Sequence, residues 1–357
     1  MQKDFFHSFS KLLDDHRNEK HAVIIQNYPD PDAISCAFCH KAISRAYGIQ
    51  CDIIYDGTVS HQENKALITL LEIELIKYQP DMDIKQYKHC VFLDNQGTTS
   101  SLTRLFLDAG IKPLLIIDHH DKQDLLKAEL EYIIPIGATA TIYTQLIQLG
   151  AYHFNAKEPE TKALATSLMH GIRTETESLI TASRDDYLAA VYLSEFYSRD
   201  TLLTISNQRK SHKAMNIISR ALENRLIKNS FSVSGIGFLR YEDRDAIPMA
   251  ADFLLTEENI HTSIVYGILV DEKTRELLTG SMRTNNITLE PDNFLKDTFG
   301  KDEKGGFYGG GKRQAGAFEI PLGFLSGEIS KELSDKKWEL YNAIVIQKLS
   351  EKIGVEN

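Results

Sequence analysis

At 357 residues, with 42% hydrophobic and 25% charged residues, the chain has a globular composition and a length that suits two domains. A net charge of −10 argues against stable duplex nucleic-acid binding, because phosphate contacts are made with Lys and Arg, but leaves room for a small anionic ligand held locally. No apolar run approaches the roughly 18 residues of a membrane span, and the opening MQKDFFHSFSKLLDDH is too charged for a signal peptide, so a cytoplasmic protein with no membrane partner is expected.

The chain opens on alternating strands and helices. HAVIIQN, CDIIYDG, HCVFLDNQG and PLLIIDHHD are short β-branched runs of the kind buried in a sheet, and DAISCAFCHKAISRAYG and TTSSLTRLFLDAG between them have helical periodicity. This pattern predicts an α/β fold: an N-terminal, mostly parallel sheet with helices on both faces. In the link after the first strand, Asp30, Pro31 and Asp32 suit an N-cap, a first helical position and an acid in the first turn. Cys36 and Cys39 form a CxxC within that helix without a second pair and are read as buried thiols; with Cys51 and Cys90 they fit a reducing compartment.

From about Tyr152 to Arg225 the period is helical, with a turn expected at Gly171 in KALATSLMHGIRTETES. Strand-like FSVSGIGFLRY, HTSIVYGILVDE and ELLTGSMRT follow, then the glycine cluster GGFYGGGKRQAGAFEIP. A final helix is predicted to face inward with Trp338, Leu340, Ile344 and Leu349. The expected organisation is an N-terminal domain over 1–195, a helical linker over 196–230, a smaller α/β domain over 231–335 across a cleft, and a C-terminal helix over 336–357.

Three of the first four strands run from apolar residues directly into acids or histidines: Asp30 and Asp32 after the first, Asp94 after the third, and Asp118, His119 and His120 at the fourth. Ligand crevices of open α/β sheets lie at the carboxyl ends of the strands, so these side chains should converge. Two like charges about 4 Å apart repel by roughly 4 kcal/mol at an effective dielectric of 20, so such a cluster needs protons or cations. With only Lys122 as a nearby cation, divalent metal is the natural counter-charge; oxygen and imidazole ligands favour Mn, Mg, Fe or Co. The number of ligands points to two ions, which suits phosphoryl transfer.

In Asp118-His119-His120, PDPDA, the lone Asp94, GIRT and the triple glycine, the chain resembles the DHH phosphoesterases, including their nanoRNase, bisphosphate-nucleotide phosphatase and RecJ-like members. The resemblance implies one metal on Gln26, Asp30 and Asp94, and a second on Asp32, bridging Asp94, His119 and Glu175. It places His120 against the scissile phosphate and makes Asp118 the group that orients a histidine. It also implies substrate contacts from Arg283, from the backbone of Gly309, Gly310 and Gly311, and from Lys312. Gln26 stands where the family has His, Glu175 where it has Asp, and Lys312 where it has His. GxxxxGK at Gly306–Lys312 lacks the Ser or Thr of a P-loop, since Arg313 follows.

The resulting expectation is a phosphoric ester hydrolase that uses two divalent ions, Mn first with Mg or Co as alternatives. Its substrates would be short oligonucleotides, linear dinucleotides or nucleoside bisphosphates, and a homodimer is compatible with this reading. The competing readings are a pyrophosphatase or exopolyphosphatase, and a nucleotide-binding regulator with a degenerate metal site. His7, His16, His21, His61, His89 and His153 lie in polar or element-edge contexts and are read as surface or capped residues; Arg184-Asp185-Asp186 is read as a solvated helix start.

Overall fold

The computed structural model describes residues 3–59, 61–270, 275–327 and 330–354. They form two compact units, residues 1–209 and 210–357, so the segment 196–230 contains the division and its helices are shared between the units.

The first unit comprises α1 (Lys3–Asp15), β1 (Lys20–Ile24), α2 (Pro31–Ala46), β2 (Gln50–Tyr55), α3 (Gln62–Leu70), β3 (Leu75–Lys77), β4 (His89–Leu93), α4 (Leu102–Asp108), β5 (Lys112–Asp118), β6 (Leu130–Ile133), α5 (Thr139–Gln148), α6 (Pro159–Glu175), α7 (Arg184–Leu193) and α8 (Arg199–Ser206). Its six strands are all parallel in the order β3-β2-β1-β4-β5-β6. The order reverses between β1 and β4, which opens a crevice at their carboxyl ends. The strand residues alternate between two cores. Val23, Val91, Leu93, Leu115 and Ile117 pack with α1, α2, α5 and α6 on one face. Ala22, Ile24, Phe92 and Ile116 pack with Leu102 and Phe106 of α4 on the other. The two short edge strands β3 and β6 carry too little apolar pattern to be legible in sequence.

The turn expected at Gly171 is absent: α6 runs through it to Glu175. A Cβ at Gly171 would stand 3.2 Å from Asp32 Cα and Oδ1 and 3.3 Å from Ala140 Cβ. The glycine therefore serves the close approach of α2, α5 and α6 around Asp32. Asp186 also departs from expectation. It is fully buried, accepts from Thr141 Oγ1 at 2.6 Å, and closes a capping box with Ser183 at the start of α7.

The second unit comprises α9 (His212–Glu223), β7 (Leu226–Lys228), β8 (Phe231–Arg240), α10 (Ala246–Leu254), β9 (Thr262–Val270), β10 (Glu276–Thr284), α11 (Pro291–Phe299), β11 (Gly309–Gly311), β12 (Ala315–Pro321) and α12 (Lys331–Ile353). Its mixed sheet has the order β11-β12-β10-β9-β8-β7, with only β8 and β9 parallel. Asp271 and Glu272, which end the expected strand HTSIVYGILVDE, lie outside the described residues. Helices α9 and α10 cover one face, and α11 and α12 the other. The inward stripe of α12 is Trp338, Tyr341, Val345 and Leu349; the expected Leu340 and Ile344 are 56% and 39% exposed, because the stripe follows the 3–4 spacing through Val345. No helix of the described residues is long and apolar enough to cross a membrane. Cys36, Cys39, Cys51 and Cys90 are buried free thiols.

Candidate metal centre

The crevice at the carboxyl ends of β1, β4 and β5 gathers the acids and histidines. Asp30 is the N-cap of α2, accepting from Ala33 N at 2.9 Å with Pro31 at the first helical position, so the capping geometry read from NYPDPDAIS is present. Asp32, in the first turn, is fully buried, and its two oxygens accept from the backbone N–H of Thr139 at 2.7 Å and Ala140 at 2.8 Å. One carboxylate thus serves the first turns of two helices, α2 and α5.

Asp94 follows β4 in the left-handed region, at φ 56°. A non-glycine residue held there is strained and needs support from its surroundings. The support is its ladder bond to Ile117 O and the Thr139 hydroxyl, which donates to Asp94 Oδ1 at 2.9 Å. The turn aims the carboxylate across the ends of the central strands.

Asp118 ends β5. Its Oδ1 accepts from the backbone N–H groups of His119 and His120 and from His120 Nδ1, at 2.8, 3.3 and 2.8 Å; its Oδ2 accepts from Gln96 Nε2 at 2.7 Å. Burial acts to raise its pKa, but the hydrogen bonds from His120 and Gln96 prevail and hold the carboxyl below its usual range. Asp118 therefore stays ionised and fixes the ring of His120.

His119 is oriented from the other side. Its Nδ1 donates to the Ile136 carbonyl at 2.9 Å, which leaves Nε2 as the lone-pair nitrogen. Burial and the neighbouring His120 lower its pKa, favouring the neutral ring. Nε2 is buried without a hydrogen-bond partner, 3.5 Å from Asp94 Oδ1 and 3.7 Å from Glu175 Oε1. Glu175, the last residue of α6, reaches the crevice on its long arm.

The electrostatics are those of a cluster short of positive charge. Burial and the charge of Glu175 raise Asp30 to about 6. Asp32 is pushed well above the carboxylate range by burial, Glu175 and Asp30, and Asp94 by burial together with Asp32, Asp30, Asp118 and Glu175. Several buried carboxylates, together with an imidazole lone pair that lacks a partner, make a donor set suited to a divalent cation. Among the described residues, Asp94, His119 and His120 also place ligand atoms within 4.8 Å of one another.

Gln26 behaves differently from an ordinary ligand. Its Nε2 donates to Asp30 Oδ2 at 2.6 Å and to Asp94 Oδ2 at 3.3 Å, so an amide donor stands between the two acids expected to share the first ion. Two supports escape a reading of the sequence. Thr139 ties Asp94, and Gln96 ties Asp118 while accepting from Gln123 N. Their signals are small: a hydroxyl opening α5 in GATAT, and the polar Asn95-Gln96-Gly97 after β4. Arg173 turns away, to Ser206 Oγ at 3.3 Å.

Within the second unit, the expected substrate residues do not form one group. Arg283 lies on the α10 face of β10, where Asp252 accepts from its Nε at 2.8 Å and Ser281 Oγ from its Nη1 at 2.7 Å. Gly309–Gly311 form an edge strand against β12, and Gly311 N donates to Asp292 Oδ1 at 3.1 Å. Lys312 lines a cavity of about 510 Å³ with Arg313, Gln314, Asn286 and Asp292, beside the start of α11.

Residues 21–172 match the model of the DHH family, N-terminal domain. An uncharacterised protein of Methanocaldococcus jannaschii is 34% identical over 331 residues, 92% of this chain; the chain spans 63% of that relative's length. In fold, the chain is similar to an exopolyphosphatase-related protein from Bacteroides fragilis, with a TM-score of 0.70 and 15% identity over 98% of each chain. RecJ from Thermus thermophilus in complex with Mn2+ aligns with a TM-score of 0.46 and 13% identity over 95% of this chain and 54% of that one. Asp118-His119-His120 closes the fifth strand of the parallel sheet inside that matched segment, so the likeness to the DHH family rests on residues 21–172.

Proposed function

We propose that the protein is a metal-dependent phosphoesterase that hydrolyses short oligonucleotides, linear dinucleotides or nucleoside bisphosphates. The observation that carries the reading is His119 Nε2, buried, lacking a hydrogen-bond partner and facing Asp94 and Glu175. Asp32, Asp94, His119 and Glu175 would hold one divalent ion, with Mn first and Mg or Co as alternatives. Asp30 and Asp94 would hold a second, and for this Gln26 has to turn its amide oxygen inward in place of the N–H2 it now presents. When bound, divalent metal supplies charge for the phosphoryl oxygens and lowers the pKa of the attacking water.

The chain's own residues do the rest. Asp118 holds Nδ1 of His120, so that ring is positioned to donate to a phosphoryl oxygen, and the Ile136 carbonyl keeps His119 in the tautomer that offers Nε2. Thr139 anchors Asp94 in its strained turn. The net charge of −10 favours a short substrate over a long polymer, whose phosphates would call for many Lys and Arg contacts. The cavity at Lys312 and Arg313 has the size of a small-molecule site, which supports a nucleotide over a polymer.

The test is a substrate panel with Mn, Mg and Co: a labelled dinucleotide, a nucleoside 3′,5′-bisphosphate, pyrophosphate, polyphosphate and duplex DNA. Release of mononucleotide or phosphate from the first two is expected, with duplex spared. Turnover confined to pyrophosphate or polyphosphate moves the protein to the anhydride hydrolases. Absence of metal-dependent turnover on every substrate rejects the enzyme reading.

A further inference from the structure

Three histidines read from sequence as surface or capped residues come together with one glutamate. His16 follows α1, Glu19 precedes β1, His21 is the second residue of β1 and His89 the first of β4. His21 and His89 are register partners on adjacent parallel strands, which places their side chains side by side. Glu19 Oε2 lies 3.0 Å from His16 Nδ1, 2.9 Å from His21 Nε2 and 2.9 Å from His89 Nδ1. The ring centroids are 4.7 to 6.0 Å apart. His21 is fully buried, and the other three side chains are 14% to 24% exposed.

We propose that His16, Glu19, His21 and His89 form a second metal site, which binds Zn2+ or a similar divalent transition ion in a structural role. Three imidazole nitrogens converging on one carboxylate oxygen is an unusual use of a glutamate, since the three rings crowd a single acceptor atom and no Lys or Arg joins them in these contacts. Ligands at 2.0–2.1 Å around tetrahedral zinc lie about 3.3 Å from one another, so the present 2.9 to 3.0 Å contacts need open by only a few tenths of an ångström to admit an ion. All four ligand atoms already lie within 4.8 Å of one another. Glu129 Oε2 stands 3.8 Å from His16 Nε2, outside hydrogen-bond distance.

Four protein donors complete a tetrahedron and leave no open position, which assigns a structural and not a catalytic role. The site lies at the first residues of β1 and β4, whereas Asp94 and the Asp30–Asp32 turn follow their last residues, so the two centres lie at opposite ends of the same strands. Here an ion would tie the end of α1 to both central strands.

The test uses the full chain, stripped with chelator and titrated with Co2+ alone and then Zn2+ alone. Intense visible bands of tetrahedral Co2+ are expected, bleached by Zn2+, retained in Asp94→Asn, and absent from the His16→Ala, His89→Ala double variant, which should bind about one Zn2+ fewer than the wild type. Zn2+ should raise the melting temperature of the wild type and not of the double variant. A wild-type spectrum with only weak octahedral bands overturns the proposal, as does undiminished Zn2+ binding by the double variant. Should that variant fail to fold, the spectra of the wild type and of Asp94→Asn decide.

Discussion

Asp94→Asn separates the charge of Asp94 from its shape. Asn tolerates the left-handed backbone at φ 56°, and its amide oxygen can still accept from Thr139, so the losses are one negative charge and the long 3.3 Å bond from Gln26 Nε2. The size of that loss follows from two shared partners. Gln26 Nε2 touches both Asp30 Oδ2 and Asp94 Oδ2, which puts those oxygens at most about 6 Å apart, a repulsion of about 3 kcal/mol at an effective dielectric of 20. His119 Nε2 likewise limits Asp94 Oδ1 and Glu175 Oε1 to about 7 Å, worth about 2 kcal/mol more when all three acids are ionised. Protonation relieves part of this in the metal-free protein, so the variant should gain about 2–3 kcal/mol of stability in chelator. In Mn2+ the sign should reverse, because the wild type gains binding energy that the variant lacks. Urea unfolding of both proteins, with chelator and with Mn2+, measures the two differences, and a phosphodiester assay should show activity down by about 10³-fold or more. The reasoning fails if Asp94→Asn destabilises the metal-free protein as much as the Mn-loaded one, or if activity stays within tenfold.

Asp118→Asn leaves one oxygen for donors that now share two, and removes the anion that fixes His120. It should lower kcat by about 10²–10⁴-fold and shift its pH profile while the protein stays folded, and an unchanged profile would deny Asp118 its positioning role. Gly171→Val places a branched side chain where even a Cβ stands 3.2 Å from Asp32, and should cost about 1–3 kcal/mol in thermal or urea unfolding. His40 is fully buried against the Tyr143 hydroxyl, and burial lowers its pKa to about 3. The unfolded chain binds that proton near pH 6.5 and the folded one does not, so the contribution of His40 is complete above pH 6.5 and is lost as pH falls toward 3, at up to about 1.4 kcal/mol per pH unit. His40→Gln should flatten the urea midpoint against pH by that amount between about pH 6.5 and 4; equal slopes would show that His40 is protonated in the fold.

Asp30, Asp32, Asp94, Asp118, His119 and His120 are legible in sequence because they follow β-branched runs, whereas Glu175 ends a helix and has no such local mark. Continuous apolar runs mark β1, β2, β4 and β5 as strands buried on both faces, and the chemistry of Asp30, Asp94, Asp118, His119 and His120 begins where that apolar pattern stops. The N-cap at Asp30 is equally local, resting on a side chain and the backbone three residues on.

What the sequence could not express are contacts between residues far apart in the chain. Thr139 supports Asp94 from 45 residues away, and Asp32 accepts from the backbone N–H of Ala140 across 108. Gly171 looks like a helix breaker because propensity sees only neighbours along the chain, whereas its missing side chain makes room for Asp32 and Ala140. His16, Glu19, His21 and His89 form no motif at all. Strand order alone brings β4 against β1, and with it His89 against His21 from a distant part of the chain. The sequence by itself determined which residue types end which strands. Only the tertiary structure decided which strands are neighbours, because hydrophobic patterning marks the buried face of each element without naming the partner that covers it.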